Sequence, residues 1–198
     1  MSPGAKKQFD RDEVLDRAMQ LFWEKGYEGT GMAELLERME IGRQSLYDTF
    51  GNKRDLFLEV MEHYAKTRIR EVRGILEGAR SPLAGIRTLL KRYEEHSTCE
   101  GSVGCLVVNT MGESAAPIEG FDCVLQDKLK GLEQMYRGVF EAAKEAGELR
   151  PDADTLGLAR VMCSLMISVM LMGRIGVAKP MIRDAIRMNR SLIEAAAV

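Results

Sequence analysis

The sequence lacks the features that would place the protein in a membrane or outside the cell. Its longest stretch without a charged residue runs only from Val161 to Gly173, which is too short to cross a bilayer. The N-terminus has no apolar signal segment, because Phe9 is followed by four charged residues. A hydrophobic fraction of 45% argues against disorder, and 198 residues can bury one good core or two small ones. We therefore expect a globular protein in the cytoplasm.

Sequence motifs of common enzymes and metal sites are also missing. There is no GxSxG, no glycine-rich phosphate loop and no HExxH. The four cysteines form no CxxC pair and should be thiols in the cytoplasm, and His96, Cys99 and Cys105 do not have the spacing of a zinc finger. We expect no enzymatic activity, no cofactor and no metal. The one enzymatic alternative would use Cys105 as a nucleophile with His96 as its base.

The charge of the chain is not that of a basic nucleic-acid-binding protein. The formal net charge is −2, and residues 1–58 contain nine Lys or Arg against eleven Asp or Glu. Any contact with DNA must therefore come from basic residues placed on one face. The candidates for that face are Lys6, Lys7, Arg43, Lys53 and Arg54.

Residues 34–56 predict a helix-turn-helix motif. An apolar-periodic segment with Leu35, Leu36 and Met39 leads into a tight connection at Glu40–Gly42. A second segment, Arg43–Phe50, follows, and Gly51-Asn52 separates it from the next helix. The second helix of such a motif enters the major groove of DNA.

The exposed side of the second segment carries residue types that bind DNA. Leu46 and Phe50 should face the core, which leaves four polar side chains on the exposed side: Arg43, Gln44, Ser45 and Tyr47. Arg43 can pair with guanine and Gln44 with adenine, whereas hydroxyl groups such as those of Ser45 and Tyr47 commonly bind phosphate. Gly31 and Gly42 precede helices and leave backbone N–H groups open to a phosphate, and the Thr30 hydroxyl is close by in sequence.

The rest of the chain predicts an all-α protein. Apolar periodicity and helix-capping residues place helices at 10–25, 31–39, 43–50, 53–78, 82–97, 105–111, 123–146, 154–173 and 180–197. Asp10 should cap the first helix, with Glu13 completing a capping box, and Gly26 should end it. Residues 105–111 would also suit a buried strand by composition, and residues 115–120 predict a loop. Residues 1–9 are either a DNA-touching arm or a plain terminus.

The last two helices are candidates for a subunit interface. The helix at 154–173 is apolar on nearly all sides and must be covered on most of them. The amphipathic helix at 180–197 follows it. The alternative is an ordinary pair of buried core helices.

The N-terminal residues resemble the DNA-binding domain of TetR-type transcriptional regulators. The resemblance covers roughly residues 10–60 and is carried by Phe22, Gly26, Tyr27, the run Gly42-Arg43-Gln44-Ser45-Leu46-Tyr47, Phe50, Lys53 and Leu56. It implies a DNA-binding domain at 1–52 and a ligand-binding and dimerisation domain at 53–198. It further implies a homodimer joined through the last two helices and a repressor that a small molecule releases from its operator.

The same resemblance assigns roles to individual residues. Arg43, Gln44 and Ser45 would approach bases, and Tyr47 and Lys53 would hold phosphates. The sequence departs from the family at Gly31, where a Ser or Thr often caps the second helix, and at Glu40, where a Gly often makes the turn. A left-handed Glu40 would cost roughly 1 kcal/mol.

A second, shorter resemblance concerns the step Gly104-Cys105-Leu106. In a subgroup of these regulators such a step begins a helix of the ligand domain, and some members look like sensors of electrophiles or oxidants. A thiol at a helix N-terminus has a stabilised thiolate, so Cys105 is a candidate sensor, the alternative being a packing residue. The expected pocket is lined by Met and Leu, with polar groups from Tyr64, Tyr93, Asn109 and Ser168.

Overall fold

The computed structural model describes residues 9–113, 118–176 and 179–198. Lys6, Lys7 and most of the arm and loop predicted at 1–9 and 115–120 lie outside those residues. Within the described ranges the chain forms nine helices, and the only bridge between extended residues joins Leu149 to Ala197. The helices are α1 (Arg11–Gly29), α2 (Met32–Met39), α3 (Arg43–Phe50), α4 (Lys53–Glu77), α5 (Pro82–Thr98), α6 (Leu106–Glu113), α7 (Phe121–Glu145), α8 (Thr155–Arg174) and α9 (Lys179–Ala195). The all-α prediction is confirmed.

The first helix does not end where the sequence predicts. Asp10 caps it as expected, since its carboxylate accepts from the N–H groups of Asp12 and Glu13 at 2.9 and 3.2 Å. Gly26, however, kinks the helix at φ 72° and ψ 174°, and α1 continues to Gly29. A glycine can take a positive φ without strain, so the chain bends there and then resumes its turn. The expected reciprocal bond of the capping box is replaced by a 2.7 Å ion pair between Glu13 and Arg17.

One hydrophobic core joins α1–α3 to the first half of α4. Phe22 and Phe57 are fully buried and meet edge to face, with ring centroids 4.9 Å apart. Tyr27, just after the kink, lies 4.8 Å from the Phe57 ring. The core also takes in Leu106, Ile118 and Phe121 from later in the chain, so α6 and the start of α7 rest directly on the N-terminal helices.

A second core lies between α5, α7, α8 and α9. Its largest fully buried side chains are Tyr136, Phe140, Ile86 and Leu89. Helix α6 is short and apolar, and it forms a helix and not the buried strand that its composition would also suit. It lies between the two cores and connects them.

Helix α8 is more apolar than its charge-free stretch indicates. By length and composition alone the 20-residue helix could cross a membrane, with a mean hydropathy of 1.8 over its most apolar window, although only 33% of that window is buried. The sequence-based expectation rested only on the charge-free stretch from Val161 to Gly173, but the apolar helix extends past Arg160 and is long enough to span a bilayer. In the fold, α8 packs against α5, α6, α7 and α9, as the core helix of a globular protein does.

Candidate DNA interface and ligand cavity

The turn between α2 and α3 has the geometry that the sequence predicts. Glu40 ends α2 with φ 55° and ψ 35°, the left-handed conformation, and Gly42 precedes α3 in an extended conformation. Glu40 is the only residue other than glycine with a positive φ in the described part of the chain. Its carboxylate forms a 2.7 Å ion pair with Arg17 of α1, which offsets the negative charge beside the turn.

Helix α3 presents the predicted side chains outward. Leu46 and Phe50 are buried, whereas Arg43 and Gln44 are exposed and Tyr47 is 45% exposed. Ser45 is half-buried. The Gln44 amide donates a 2.8 Å hydrogen bond to the Asp48 carboxylate one turn later, which holds that amide along the outer face of the helix.

The pairing of basic residues singles out two of them. Among the described residues up to position 58, five cations have carboxylate partners: Arg11, Arg17, Lys25, Arg38 and Arg54. Arg43 and Lys53 have none in that part of the chain, and these two begin α3 and α4. In a domain without a net positive charge, these are the two described cations whose charge no ion pair offsets.

Lys53 and Arg54 point to different partners. The Lys53 ammonium lies 4.4 Å from the centre of the Tyr27 ring, and partial burial lowers its pKa. Arg54 turns away and donates through Nε to the backbone oxygen of Glu119 at 2.8 Å. The sequence-based expectation that Arg54 belongs to the DNA face is therefore wrong: it ties α4 to the chain before α7.

Two glycines leave helix starts open, but the neighbouring threonine does not. Gly31 and Gly42 precede α2 and α3 without any side-chain cap, and no atom would contact a Cβ at either position. Thr30 is only 1% exposed, and its hydroxyl donates a 2.6 Å bond to the backbone oxygen of Gly26. The expectation that Thr30 offers a hydroxyl to DNA is wrong, because the kink of α1 uses that hydroxyl.

A cavity of about 890 Å³ lies between helices α4–α8. Three of the predicted pocket residues line it, namely Tyr64, Tyr93 and Cys105. Much of the remaining wall is aliphatic or methionine, contributed by Ile69, Val72, Ile75, Leu89, Val107, Val108, Met111, Leu125, Leu129, Leu132, Met166, Ile167 and Met170. A volume of this size suits a small organic molecule.

Asn109 and Ser168 do not line the cavity as expected. The buried Asn109 amide donates to the backbone oxygen of Val103 at 2.8 Å. Ser168 is exposed, and its hydroxyl donates to the backbone oxygen of Ser164 at 2.9 Å. The Asn109 amide instead holds the chain segment that enters α6, and the Ser168 hydroxyl is hydrogen-bonded within its own helix.

Cys105 occupies the first position before α6, as the sequence predicts. Its backbone oxygen accepts a 2.8 Å bond from the N–H of Asn109, and its side chain is half-buried in the cavity wall. The thiol is a neighbour of the Tyr64 hydroxyl; burial, followed by this thiol, raises the pKa of Tyr64. In contrast, burial raises the pKa of Cys163 to about 11.

His96 and Cys99 also line the cavity together with Cys105. Within the described ranges, no group of three or more His, Cys, Asp or Glu residues is arranged to hold a metal ion. The His96 ring is engaged at Nε2 with the backbone oxygen of Gly104 at 3.2 Å.

Several wall residues could not be found from the sequence. Trp23 of α1 reaches the cavity, and its indole N–H donates to the backbone oxygen of Val103 at 3.0 Å. Arg68, Arg92 and Lys128 supply charge to the wall. Arg68 and Lys128 sit among charged neighbours typical of any exposed helix face, and nothing local in the sequence relates residue 23 to residue 103.

Comparison with known proteins decides the family. A model of the bacterial regulatory proteins of the tetR family matches residues 14–60, and a model of the tetracyclin repressor-like C-terminal domain matches residues 82–188. The chain belongs to the TetR family. The second match covers more than half of the chain, so the assignment includes the C-terminal region.

Relatives of the TetR family cover nearly the whole chain. An uncharacterized HTH-type transcriptional regulator of Bacillus subtilis (strain 168), YezE, is 31% identical over 193 residues, which span 96% of this chain and 100% of that protein. The HTH-type transcriptional repressor NemR of Escherichia coli (strain K12) is 25% identical over 95% of this chain and 96% of its own. A cysteine mutant of the TetR family regulator CifR, complexed with a 26-bp operator, is 30% identical, with a TM-score of 0.81 over 94% of this chain and 98% of that one.

Membership in this family establishes the general function. The protein is a helix-turn-helix regulator of transcription that binds DNA, with the N-terminal motif on α2 and α3. The family is one of regulators and not of enzymes, so the reading of Cys105 and His96 as a nucleophile and base receives no support from it.

Proposed function

We propose that the protein is a homodimeric repressor that leaves its operator when a small molecule fills the cavity. The observation that carries the DNA contacts is the pairing of charges. Arg43 and Lys53 are the only described cations before residue 58 without a carboxylate partner; Arg43 is exposed at the start of α3, and Lys53 is half-buried at the start of α4. Their charge is available to DNA without first breaking an ion pair.

The contacts divide between bases and phosphates. Arg43 and Gln44 read base edges, and Ser45 approaches them from its half-buried position. Tyr47 and Lys53 hold phosphates, together with the open N–H groups at Gly42. Residues 1–52 form the DNA-binding domain and residues 53–198 bind ligand and dimerise, although the first half of α4 packs within the N-terminal core. A repressor that binds operator DNA would act in the cytoplasm.

Footprinting on DNA flanking the gene tests the operator contacts. A near-palindrome should be protected, with half-sites one helical turn or a multiple apart. Arg43→Ala should weaken binding by about 1–3 kcal/mol and relax one base position. Lys53→Ala should weaken binding to all sequences alike and reduce the salt dependence. Arg38→Ala is the matched control, because Arg38 is paired with Glu24 at 3.2 Å. Absence of sequence-selective binding at any salt concentration would contradict the proposal.

The homodimer is proposed from the apolar surface at the end of the chain. Among the described residues, most of the exposed large hydrophobic side chains lie on or beside α8 and α9: Leu171, Ile175, Met181, Met188 and Leu192. Family members pair through these helices, and a second copy would cover this surface. Leu192→Glu should shift the molecular mass in analytical ultracentrifugation from dimer to monomer. A Leu192→Glu protein that stays dimeric would place the interface elsewhere.

Thiol-based sensing is a second candidate for release. The Cys105 thiol is half-buried in the cavity wall, where an electrophilic ligand would meet it. Addition of the thiol to an electrophilic C=C bond would form a C–S bond as the π bond opens, with the thiol proton passing to the neighbouring carbon, and would fix the ligand in the cavity. Cys105→Ser should abolish release by such an electrophile, whereas Cys163→Ser should not, because a thiol with a pKa of about 11 reacts slowly. Unchanged release from Cys105→Ser would leave a noncovalent effector.

A further inference from the structure

The carboxylate acceptors of the cavity wall are already paired, whereas its hydrogen-bond donors are not all bonded. The wall contains two carboxylates, and both are already engaged: Glu71 with Arg68 at 2.7 Å and Glu95 with Lys91 at 3.6 Å. One buried hydrogen-bond donor of the wall, the Nε of Arg68, in contrast, has no acceptor among the described residues. A ligand that fits this wall must therefore supply acceptors.

Arg68 of α4 carries that donor. Its Nη1 donates to Glu71, but its Nε is buried and has no hydrogen-bond partner in the described part of the chain. The edge formed by Nε and Nη2 is the edge of a guanidinium that binds a carboxylate through two parallel hydrogen bonds. The Arg68 side chain as a whole is 43% exposed, but a buried donor atom without a partner is unfavourable, so a ligand oxygen that bonds to Nε would be stabilised there.

Aromatic rings hold the Arg68 guanidinium in place. Its central carbon lies 5.5 Å from the centre of the Trp23 ring and 5.4 Å from that of Tyr64. The Tyr64 ring itself meets Trp23 edge to face at 5.1 Å. Because these contacts restrict the side chain before a ligand arrives, less conformational entropy is lost on binding.

The hydroxyl pair of Tyr93 and Tyr136 has one proton that the bond between them does not use. The Tyr93 hydroxyl is hydrogen-bonded to that of Tyr136, and burial raises the pKa of both, so both stay protonated. A pair of hydroxyls has two protons but uses only one between them. Tyr93 lines the cavity and Tyr136 does not, so when Tyr136 donates, the spare proton of Tyr93 is available to a ligand.

Arg92 adds an uncompensated positive charge to the same wall. It is exposed, and no carboxylate among the described residues pairs with it. Lys128, the other cation of the wall, is already held by Glu62 at 2.8 Å and by Asp127 at 3.2 Å. The charge without an ion-pair partner therefore comes from Arg92 and is positive, while Arg68, whose charge Glu71 partly offsets, contributes its unbonded Nε.

We infer that the cavity selects an amphipathic carboxylate, whose apolar body lies against the methionine and leucine wall and whose carboxylate binds the Nε–Nη2 edge of Arg68. This inference specifies the ligand class of the proposed function. It rests on that proposal in one respect, namely that the cavity is the effector site. The carboxylate end of the ligand lies beside Trp23 of α1. An effector bound in this way contacts the DNA-binding unit directly as well as the ligand domain.

The single tryptophan makes this assignment measurable without knowledge of the operator. Trp23 is the only tryptophan of the chain and lies in the cavity wall, so its fluorescence reports on occupancy. We would titrate the full-length protein with decanoate, 1-decanol and decyltrimethylammonium, which share an apolar chain and differ in head-group charge. Decanoate should bind at least about tenfold more tightly than decanol, as expected for a charge-assisted hydrogen bond of roughly 1.5–3 kcal/mol.

Variants of Arg68 identify the anchoring group. Arg68→Gln should weaken decanoate binding about tenfold or more and change decanol binding less than about twofold. Arg70→Gln is the matched control, because Arg70 is exposed on the same helix and does not line the cavity. Since Arg68→Gln also changes the surroundings of Trp23, calorimetric titration provides a second measurement of the same affinities.

Three outcomes would overturn the inference: no decanoate binding, equal or tighter binding of decanol or of the ammonium probe, and an equal loss of decanoate affinity in Arg68→Gln and Arg70→Gln. Its failure is distinct from that of the proposed function. Decanoate that binds through Arg68 without displacing operator DNA would contradict release by the cavity and leave the carboxylate site standing. Release by a neutral molecule with no preference for carboxylates would support the proposed function and contradict the anion site.

Discussion

The two hydrophobic regions of the molecule are built for different tasks. Around α1–α4, aromatic rings pack directly on each other. The centroids of the Phe22 and Tyr27 rings lie 4.9 and 4.8 Å from that of Phe57, and the two rings stack with centroids 6.3 Å apart. Around α4–α8, aliphatic and methionine side chains surround about 890 Å³ of open volume. A unit that positions side chains against DNA must hold its shape, whereas a unit that admits a ligand must leave space and have adaptable walls.

The boundary between these regions is shared by a few residues. Trp23 and Tyr64 belong to the packing of α1 against α4, and both also line the cavity. Arg54, at the start of α4, is bonded to Glu119 just before α7. The walls of the cavity therefore contact the N-terminal helices through packed side chains.

Truncating one large side chain in each region is the most direct test of whether the two regions are packed differently. Phe57→Ala should lower the free energy of unfolding by about 3–5 kcal/mol, because it removes a fully buried ring from a filled core. Leu129→Ala should cost roughly 1 kcal/mol, since Leu129 is half-buried and already borders open volume. Urea denaturation measures both. Equal losses would mean that the two regions are packed alike.

The chain segment that enters α6 provides a second, smaller test. Gly104 has φ +66°, and a Cβ there would lie 2.9 Å from the backbone oxygen of Met170. Gly104→Ala should therefore destabilise the protein by about 2–4 kcal/mol. Gly131→Ala on α7 is the control: it has open space around it and should be stabilising by about 0.5–1 kcal/mol. A tolerated Gly104→Ala would show that the cavity wall is as adaptable near α8 as elsewhere.

The smallest expected effect concerns the turn of the rigid region. Glu40→Gly removes the left-handed strain, worth about 1 kcal/mol, but also loses the exposed ion pair with Arg17, worth roughly 0–1 kcal/mol. The free energy of unfolding should therefore rise by at most about 1 kcal/mol. Affinity for DNA should increase, because a carboxylate near the phosphates is removed. Weaker DNA binding by Glu40→Gly would mean that the Arg17 pair sets the geometry of the motif.

The parts predicted correctly from the sequence depend on neighbours along the chain. Caps, glycines and helical spacing are local, so Asp10, Gly42 and the buried pair of Leu46 and Phe50 were all placed correctly. Thr30 shows the limit of such reasoning: its position next to α2 predicted an open hydroxyl, but the kink at Gly26 brings a backbone oxygen within 2.6 Å. A bend of that kind depends on what the following residues pack against.

The cavity depended on contacts that the sequence does not relate. Asn109 was expected in its wall on composition, yet it bonds to Val103. Trp23 was not expected there, and it reaches the wall from α1 across 80 positions of sequence. Which apolar residues surround a space, and which fill it, is decided by how several helices pack together, and periodicity describes only one helix at a time.

The sequence by itself determined that the protein is helical, that a helix-turn-helix lies at α2 and α3, and that the chain resembles TetR-type regulators. These features follow from hydrophobic spacing, caps and a local run of residues. Only the tertiary structure decided which cations remain unpaired, which side of Arg68 is free and where a ligand can enter. Charge pairing and cavities arise between helices distant in sequence, so they exist only once the chain has folded.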